Sequence, residues 1–186
     1  MVTESPLQST EQGLVPTGDG WFVLNATEAR WYYGDGRSAV CVFEGEGDGE
    51  TEFDQLGINL SVLEPGVPMA MYHWEADQED FLVLAGEAVL VVEGEERPLR
   101  QWDFVHCPPE TKHVIVGAGA GPCVVLAVGA RDKSTGSQPG WGGYTVDEAA
   151  RRHGASVDED TTDAKQAYAG LKRRDRVKYR EGWLRR

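Results

Sequence analysis

Three of the chain's four histidines, His73, His106 and His113, fall within one stretch of fewer than fifty residues. His73, Glu75 and Glu79 stand close together, and His113 follows after Trp102-Asp103 and Pro108-Pro109. A strand presents alternate residues to the same side, so His73 and Glu75 face one way. Glu79 joins them once the strand turns a corner, and His113 has to arrive from a neighbouring strand. Imidazoles and carboxylates converging on one point make a donor set for a divalent metal ion.

The elements that must position these side chains read as strands. Residues 21–24 and 30–33 are the first two, and 38–43 the third, ending in the acidic glycine run 44–50. That run lacks the order of a calcium loop and reads as a solvated hairpin. From 57 the pattern is all strand: 57–63, 69–75, 81–84, 88–92, 103–107, 113–116 and 123–128, with Gly and Pro between. In the segment 69–75, alternation puts Met69, Met71, His73 and Glu75 on one face. The runs 81–84 and 88–92 are apolar on both faces, as in a strand covered on both sides. Short strands at this spacing imply a β-sandwich or a jelly-roll barrel.

The pattern around the histidines resembles the cupin superfamily, whose motifs read G-x5-H-x-H-x3,4-E-x6-G and G-x5-P-x-G-x2-H-x3-N. Glu79 to Gly86 keeps the six-residue gap, and Pro108 to His113 keeps the P-x4-H spacing. Glu75 stands where the motif has its second histidine, and Gly66 sits one residue early. Trp102 and Glu110 replace glycines, and Gly117 replaces the asparagine. The resemblance implies an all-β, jelly-roll (double-stranded β-helix) cupin barrel, here over residues 20–130. It places His73, Glu79 and His113 at ligand positions.

With Glu75 as fourth ligand the set is two histidines and two carboxylates, suited to Mn, Fe, Zn or Ni. Without metal, Glu75 and Glu79 would repel and share a proton as an acid/base pair. As a third option, Glu75 turns to a neighbouring cation. Met71 and Phe81 share the ligands' parity and are the expected pocket-lining residues. His106 has the opposite parity and reads as a surface histidine. Cys107 has no base beside it in sequence, and Lys112 is a solvated lysine or a contact for an anionic substrate.

Composition narrows the function further. Residues 1–130 carry 5 basic and 22 acidic residues (−17), and 131–186 carry 13 and 9 (+4). An acidic barrel argues against nucleic acid. No apolar run is long enough to span a bilayer, and the first residues lack the features of a signal peptide. The three cysteines read as buried thiols, so a cytoplasmic protein is expected. Residues 1–19 offer little to bury and read as a flexible arm. Residues 133–140 read as a linker, opening a short helical C-terminal extension over 131–186. Thr145-Val-Asp-Glu148 reads as a capping box for a helix at 146–153, with a second helix at 163–174. Tyr179 and Trp183 read as anchors that pack the tail on a barrel, and apolar surface at 40–43 and 88–92 suggests a homodimer.

The functional expectation is a divalent-metal enzyme of oxygenase, isomerase or lyase type acting on a small oxygenated molecule. The alternative is a non-catalytic module that binds a small carbohydrate-like or acidic ligand in the same pocket.

Overall fold

The computed structural model describes residues 1–45, 53–131 and 140–184. Most of the acidic glycine run and of the expected linker lie outside these residues. The main architecture is two antiparallel sheets facing each other, the jelly roll that the family resemblance implies. The larger sheet has seven strands. Its centre is β5 (Leu56–Leu63), β7 (Glu79–Ala85) and β12 (Cys123–Ala130), with β10 (Phe104–Cys107) on one edge. On the other side follow β4 (Ala39–Val42), β3 (Arg30–Tyr33) and β14 (Asp175–Lys178). The smaller sheet runs β13 (Gly142–Tyr144), β6 (His73–Glu75), β11 (His113–Ala118), β8 (Glu87–Val92), β9 (Glu95–Arg100).

Between the sheets lies the main core. Phe81 and Val83 of β7, Cys123, Val125 and Ala127 of β12, and Ile115 of β11 all contribute to it. The alternate residues of these strands do not face water. Leu60, Val62 and Val124 turn outward from the large sheet and pack with Trp31, Cys41 and Trp183 in a second core. Val91, Val114 and Val116 turn outward from the small sheet and meet Ala149 and Ala150. Runs apolar on both faces therefore have a cause: the chain's own tail covers the outside of both sheets. Of the apolar residues at 40–43 and 88–92, Cys41 and Val91 are occupied this way, in the two tail-covered cores.

The tail is thus a structural part of the barrel, and among its described residues two of the four elements are strands. β13 extends the small sheet beside β6, and β14 extends the large sheet beside β3. The first helix, α1 (Glu148–Arg152), is capped by Asp147, whose carboxylate accepts from the Ala150 N–H at 2.8 Å. The expected box placed the cap two residues earlier, at Thr145; Asp147 takes the role because it, not Thr145, sits one residue before the first helical turn. α2 (Ala164–Ala167) starts after Asp163 and ends far short of 174. Its pattern is interrupted at Gly170, whose φ of +87° leaves the helical region.

Two other expectations change. Residues 1–19 contain a hairpin, β1 (Leu7–Thr10) and β2 (Gly13–Pro16), and are not simply a loose arm. Its anchor is Val15, only 2% exposed, with Leu14 donating its N–H to Glu28 O at 2.8 Å. Residues 21–24 form no strand; Trp21 makes a lone bridge to Glu4.

Candidate metal centre

His73 and His113 sit opposite each other in the ladder between β6 and β11, so adjacent strands of the small sheet deliver both imidazoles. Their ring centroids are 4.9 Å apart. Glu79 comes from the facing sheet, at the first position of β7, where Gly129 of β12 lies opposite it. A methyl group on Gly129 would lie 3.8 Å from Glu79 Cγ and 4.0 Å from Glu75 Oε2, in ordinary contact, so Gly129 flanks both carboxylates. Glu79 Oε2 lies 3.3 Å from His113 Nε2 and 3.7 Å from His73 Nε2. One donor atom from each of the three lies within 4.8 Å of the other two. Glu75 is outside that group, with its Oε1 3.9 Å from His73 Nε2.

The outer nitrogens of both rings are fixed. His73 Nδ1–H donates to Met71 O at 2.7 Å and His113 Nδ1–H to Thr111 O at 3.0 Å. A carbonyl can only accept, so each Nδ1 carries the hydrogen and each Nε2 faces inward with its lone pair. Such a hydrogen bond from the outer ring nitrogen is common for metal-binding histidines. The inner atoms lack what the outer ones have: His113 Nε2 and Glu79 Oε2 are both buried without a hydrogen-bond partner. A neutral imidazole lone pair facing a carboxylate at 3.3 Å needs a positive charge between them. A proton or a metal ion supplies it. The donor set and its geometry fit a divalent ion, with His73, Glu79 and His113 as the residues able to hold it.

The metal-free chain responds with protons. Burial opposes charge on His113, yet Cys107 and Glu79 beside it prevail and lift its pKa to about 10. His73 is lowered, first by burial and then by the charge on His113. Burial, and after it the charge of Glu79, raises Glu75 to about 7. Glu75 is the most open of the four, its side chain 30% exposed against 3% for His113.

The remaining expected residues separate. Phe81 lies beside the centre, its ring 5.2 Å from His113. Met71 does not line it. β6 begins only at His73, so the alternation that was to carry Met71 to the ligand face does not extend back to it. Met71 packs with Tyr144, Val157 and Ala167, while Met69 packs against the core between the sheets. His106 is on the outside, paired with Asp80 at 2.7 Å. Cys107 is opposite Glu79 in register and 2% exposed. The base it lacks in sequence is His113, supplied through space. Tyr144 carried no signal in the sequence: it pairs with His73 in register and its ring is 6.0 Å away.

Three departures from the motif have a counterpart in the backbone. Trp102 and Glu110, at glycine positions, have φ of +75° and +68°, the left-handed region that glycine normally fills. Gly117 stands where an asparagine was expected, and any β-carbon there would collide with the Glu64 carbonyl.

The cupin domain family matches residues 59–129. Among solved structures, the chain is similar to a sugar phosphate isomerase from a cupin superfamily of Silicibacter pomeroyi, with 31% identity and a TM-score of 0.44. That match covers 52% of this chain and 60% of the other. A DMSP lyase from Ruegeria pomeroyi is 28% identical with a TM-score of 0.44, over 52% of this chain and 48% of that one. The polyketide cyclase RemF from Streptomyces resistomycificus is 16% identical with a TM-score of 0.49, over 59% and 79%. This chain thus spans about half to three fifths of the first two of these proteins. No curated protein matches it.

Proposed function

We infer from the membership of residues 59–129 in the cupin superfamily that the barrel holds one divalent metal ion and acts on a small oxygenated molecule. The observation that carries this reading is the inward pair His113 Nε2 and Glu79 Oε2, buried, 3.3 Å apart and without a hydrogen bond. His73 completes the set, and Glu75 is the fourth candidate ligand. Nitrogen and carboxylate donors without thiolate favour Mn, Fe, Zn or Ni. When bound, such an ion supplies Lewis acidity to an oxygen of the substrate.

The chain's own residues set the conditions for that chemistry. The carbonyls of Met71 and Thr111 hold both imidazoles in the tautomer that leaves Nε2 available. Phe81, itself 2% exposed, closes the inner side and keeps water from His113. Glu75 occupies the side that solvent reaches, so a substrate meets its carboxylate first. There it can accept a hydrogen bond from a substrate hydroxyl and orient it.

Elemental analysis of protein purified without chelator tests the reading. About one equivalent of a divalent transition metal per chain is expected. Less than about a tenth of an equivalent after growth in supplemented medium overturns it.

A further inference from the structure

The tail's basic residues gather around a cavity. The space is about 580 Å³, within the range of small-molecule sites. Arg37 of the barrel and Lys165, Arg173 and Arg174 of the tail line it, with no carboxylate in the lining. This is unusual in a chain of net charge −13. Elsewhere the tail's cations do meet carboxylates: Lys172 pairs with Asp35 at 2.7 Å and Arg152 with Glu96 at 2.8 Å. Among the described residues, none of the four cavity cations makes such a pair.

Two of the four are held in place. Arg174 Nε donates to Ser38 O at 2.9 Å and its Nη2 to Ser38 Oγ and Met69 O. The Arg37 guanidinium lies 4.6 Å from the Tyr168 ring centre. Burial, then repulsion from Arg37, lowers the pKa of Arg174 to about 10. The two guanidinium groups line one cavity and repel each other, and an anion between them would relieve that repulsion. Arg173 and Lys165 are exposed and have no side-chain partner among the described residues.

The cavity and the candidate centre share the inner side of the large sheet. Its floor includes Val40 and Val42, which alternate with the outward residues Ala39 and Cys41 and so face the space between the sheets. Val42, Asn59, Ala127 and Phe81 form one row across β4, β5, β12 and β7. Three strand spacings put Val42 about 14 Å from Phe81, and Phe81 touches His113. Tyr168 of the lining packs edge-on against Tyr144 at 5.6 Å, and Tyr144 lies 6.0 Å from His73.

We propose that this cavity is an oxyanion subsite, binding the phosphate or carboxylate end of an organic anion whose other end reaches His73, Glu79 and His113. The subsite stands on its own charge and shape, and its connection to catalysis rests on the function proposed above. The guanidinium groups of Arg37 and Arg174 supply fixed donors. Lys165 and Arg173 close over the anion from solvent.

Titration calorimetry on the full chain tests this with two probes, inorganic phosphate and malonate, at low and moderate salt. Saturable binding of at least one is expected, weaker at higher salt, and the tighter of the two names the anion's chemistry. The double variant Lys165→Ala/Arg173→Ala should bind at least tenfold more weakly with unchanged melting temperature and metal content. No saturable binding of either probe, or equal affinity in the double variant, overturns the subsite. Repeating the titration after chelator treatment separates the two readings. Phosphate bound without any metal content in the untreated protein keeps the subsite and removes the metal reading; metal without anion binding does the reverse.

Discussion

Tyr144 and His73 are register partners in the ladder between β13 and β6, so a strand of the C-terminal tail forms one wall of the candidate centre. The backbone pairing continues outward: Tyr72 N–H donates to Ala155 O at 2.6 Å and Met71 N–H to the Tyr168 hydroxyl at 3.2 Å. The tail therefore positions the segment that delivers His73, as well as covering the outer faces of both sheets.

A chain ending at residue 140 should for this reason lose cooperative folding, because three clusters of buried residues would be exposed at once. A smaller cut is more informative. Trp183 is 8% exposed and lies 5.0 Å from Trp31 and 5.7 Å from Tyr33. Trp183→Ala should cost about 3–5 kcal/mol, the usual range for a buried aromatic. Urea unfolding followed by tryptophan fluorescence measures it. A change below about 1 kcal/mol would mean that the tail contributes little.

The strand pattern carried the barrel because its physical basis is local. Alternation and Gly/Pro punctuation placed 57–63, 81–84 and 88–92 almost where β5, β7 and β8 lie. The spacing of His73, Glu79 and His113 carried the core of the centre in the same way. What local reading missed came from pairing across long distances in sequence. β13 and β14 have weak patterns of their own and are strands because edges of the two sheets accept them. Arg37 and Arg174 are 137 positions apart and meet at one cavity, which no spacing rule could foresee. Met71 failed for the opposite reason: an alternation rule was applied to residues that are not yet strand.

His113→Ala removes one inward nitrogen and leaves Glu79 without its partner. Metal content should fall at least tenfold. Adding a divalent ion should raise the stability of the native chain by binding the folded state, about 2.7 kcal/mol when the ion is at one hundred times its dissociation constant. That increment should vanish in the variant. Thermal melts with and without added Mn²⁺ or Zn²⁺ give the answer. An increment of equal size in His113→Ala would place the ion elsewhere.

In chelator-treated protein, stability should fall as pH rises from about 5 to 10. The folded pKa of Glu75, at about 7, is above its ordinary 4.5. The unfolded chain loses that proton first, so Glu75 favours folding less and less between these values. His113, lifted from 6.5 to about 10, works in the same direction at higher pH. His73, lowered, works the other way as pH rises towards 6.5. A comparison with Glu75→Gln isolates the first contribution. At pH 8 the metal-free variant should be more stable than the native chain, by on the order of 1–3 kcal/mol, and the two should converge near pH 4. Calorimetric melts across this range decide it. A variant less stable at pH 8 would assign Glu75 to a neighbouring cation.

Glu110 tests whether the backbone near the centre stores strain. Its φ of +68° lies in the left-handed region, and its N–H donates to Glu75 O at 2.7 Å. The turn thus holds the strand that carries Glu75, in a conformation that costs a non-glycine residue roughly 1–2 kcal/mol. Glycine would remove that cost, although its greater freedom in the unfolded chain takes back about 0.4–1 kcal/mol. Glu110→Gly should therefore match or exceed the native stability by up to about 1 kcal/mol. Glu110→Val, β-branched and poorly suited to this region, should be the least stable of the three. Melting temperatures of the two variants beside the native chain provide the ranking. If glycine falls below valine, the turn is not strained, and the glutamate side chain itself must stabilise it.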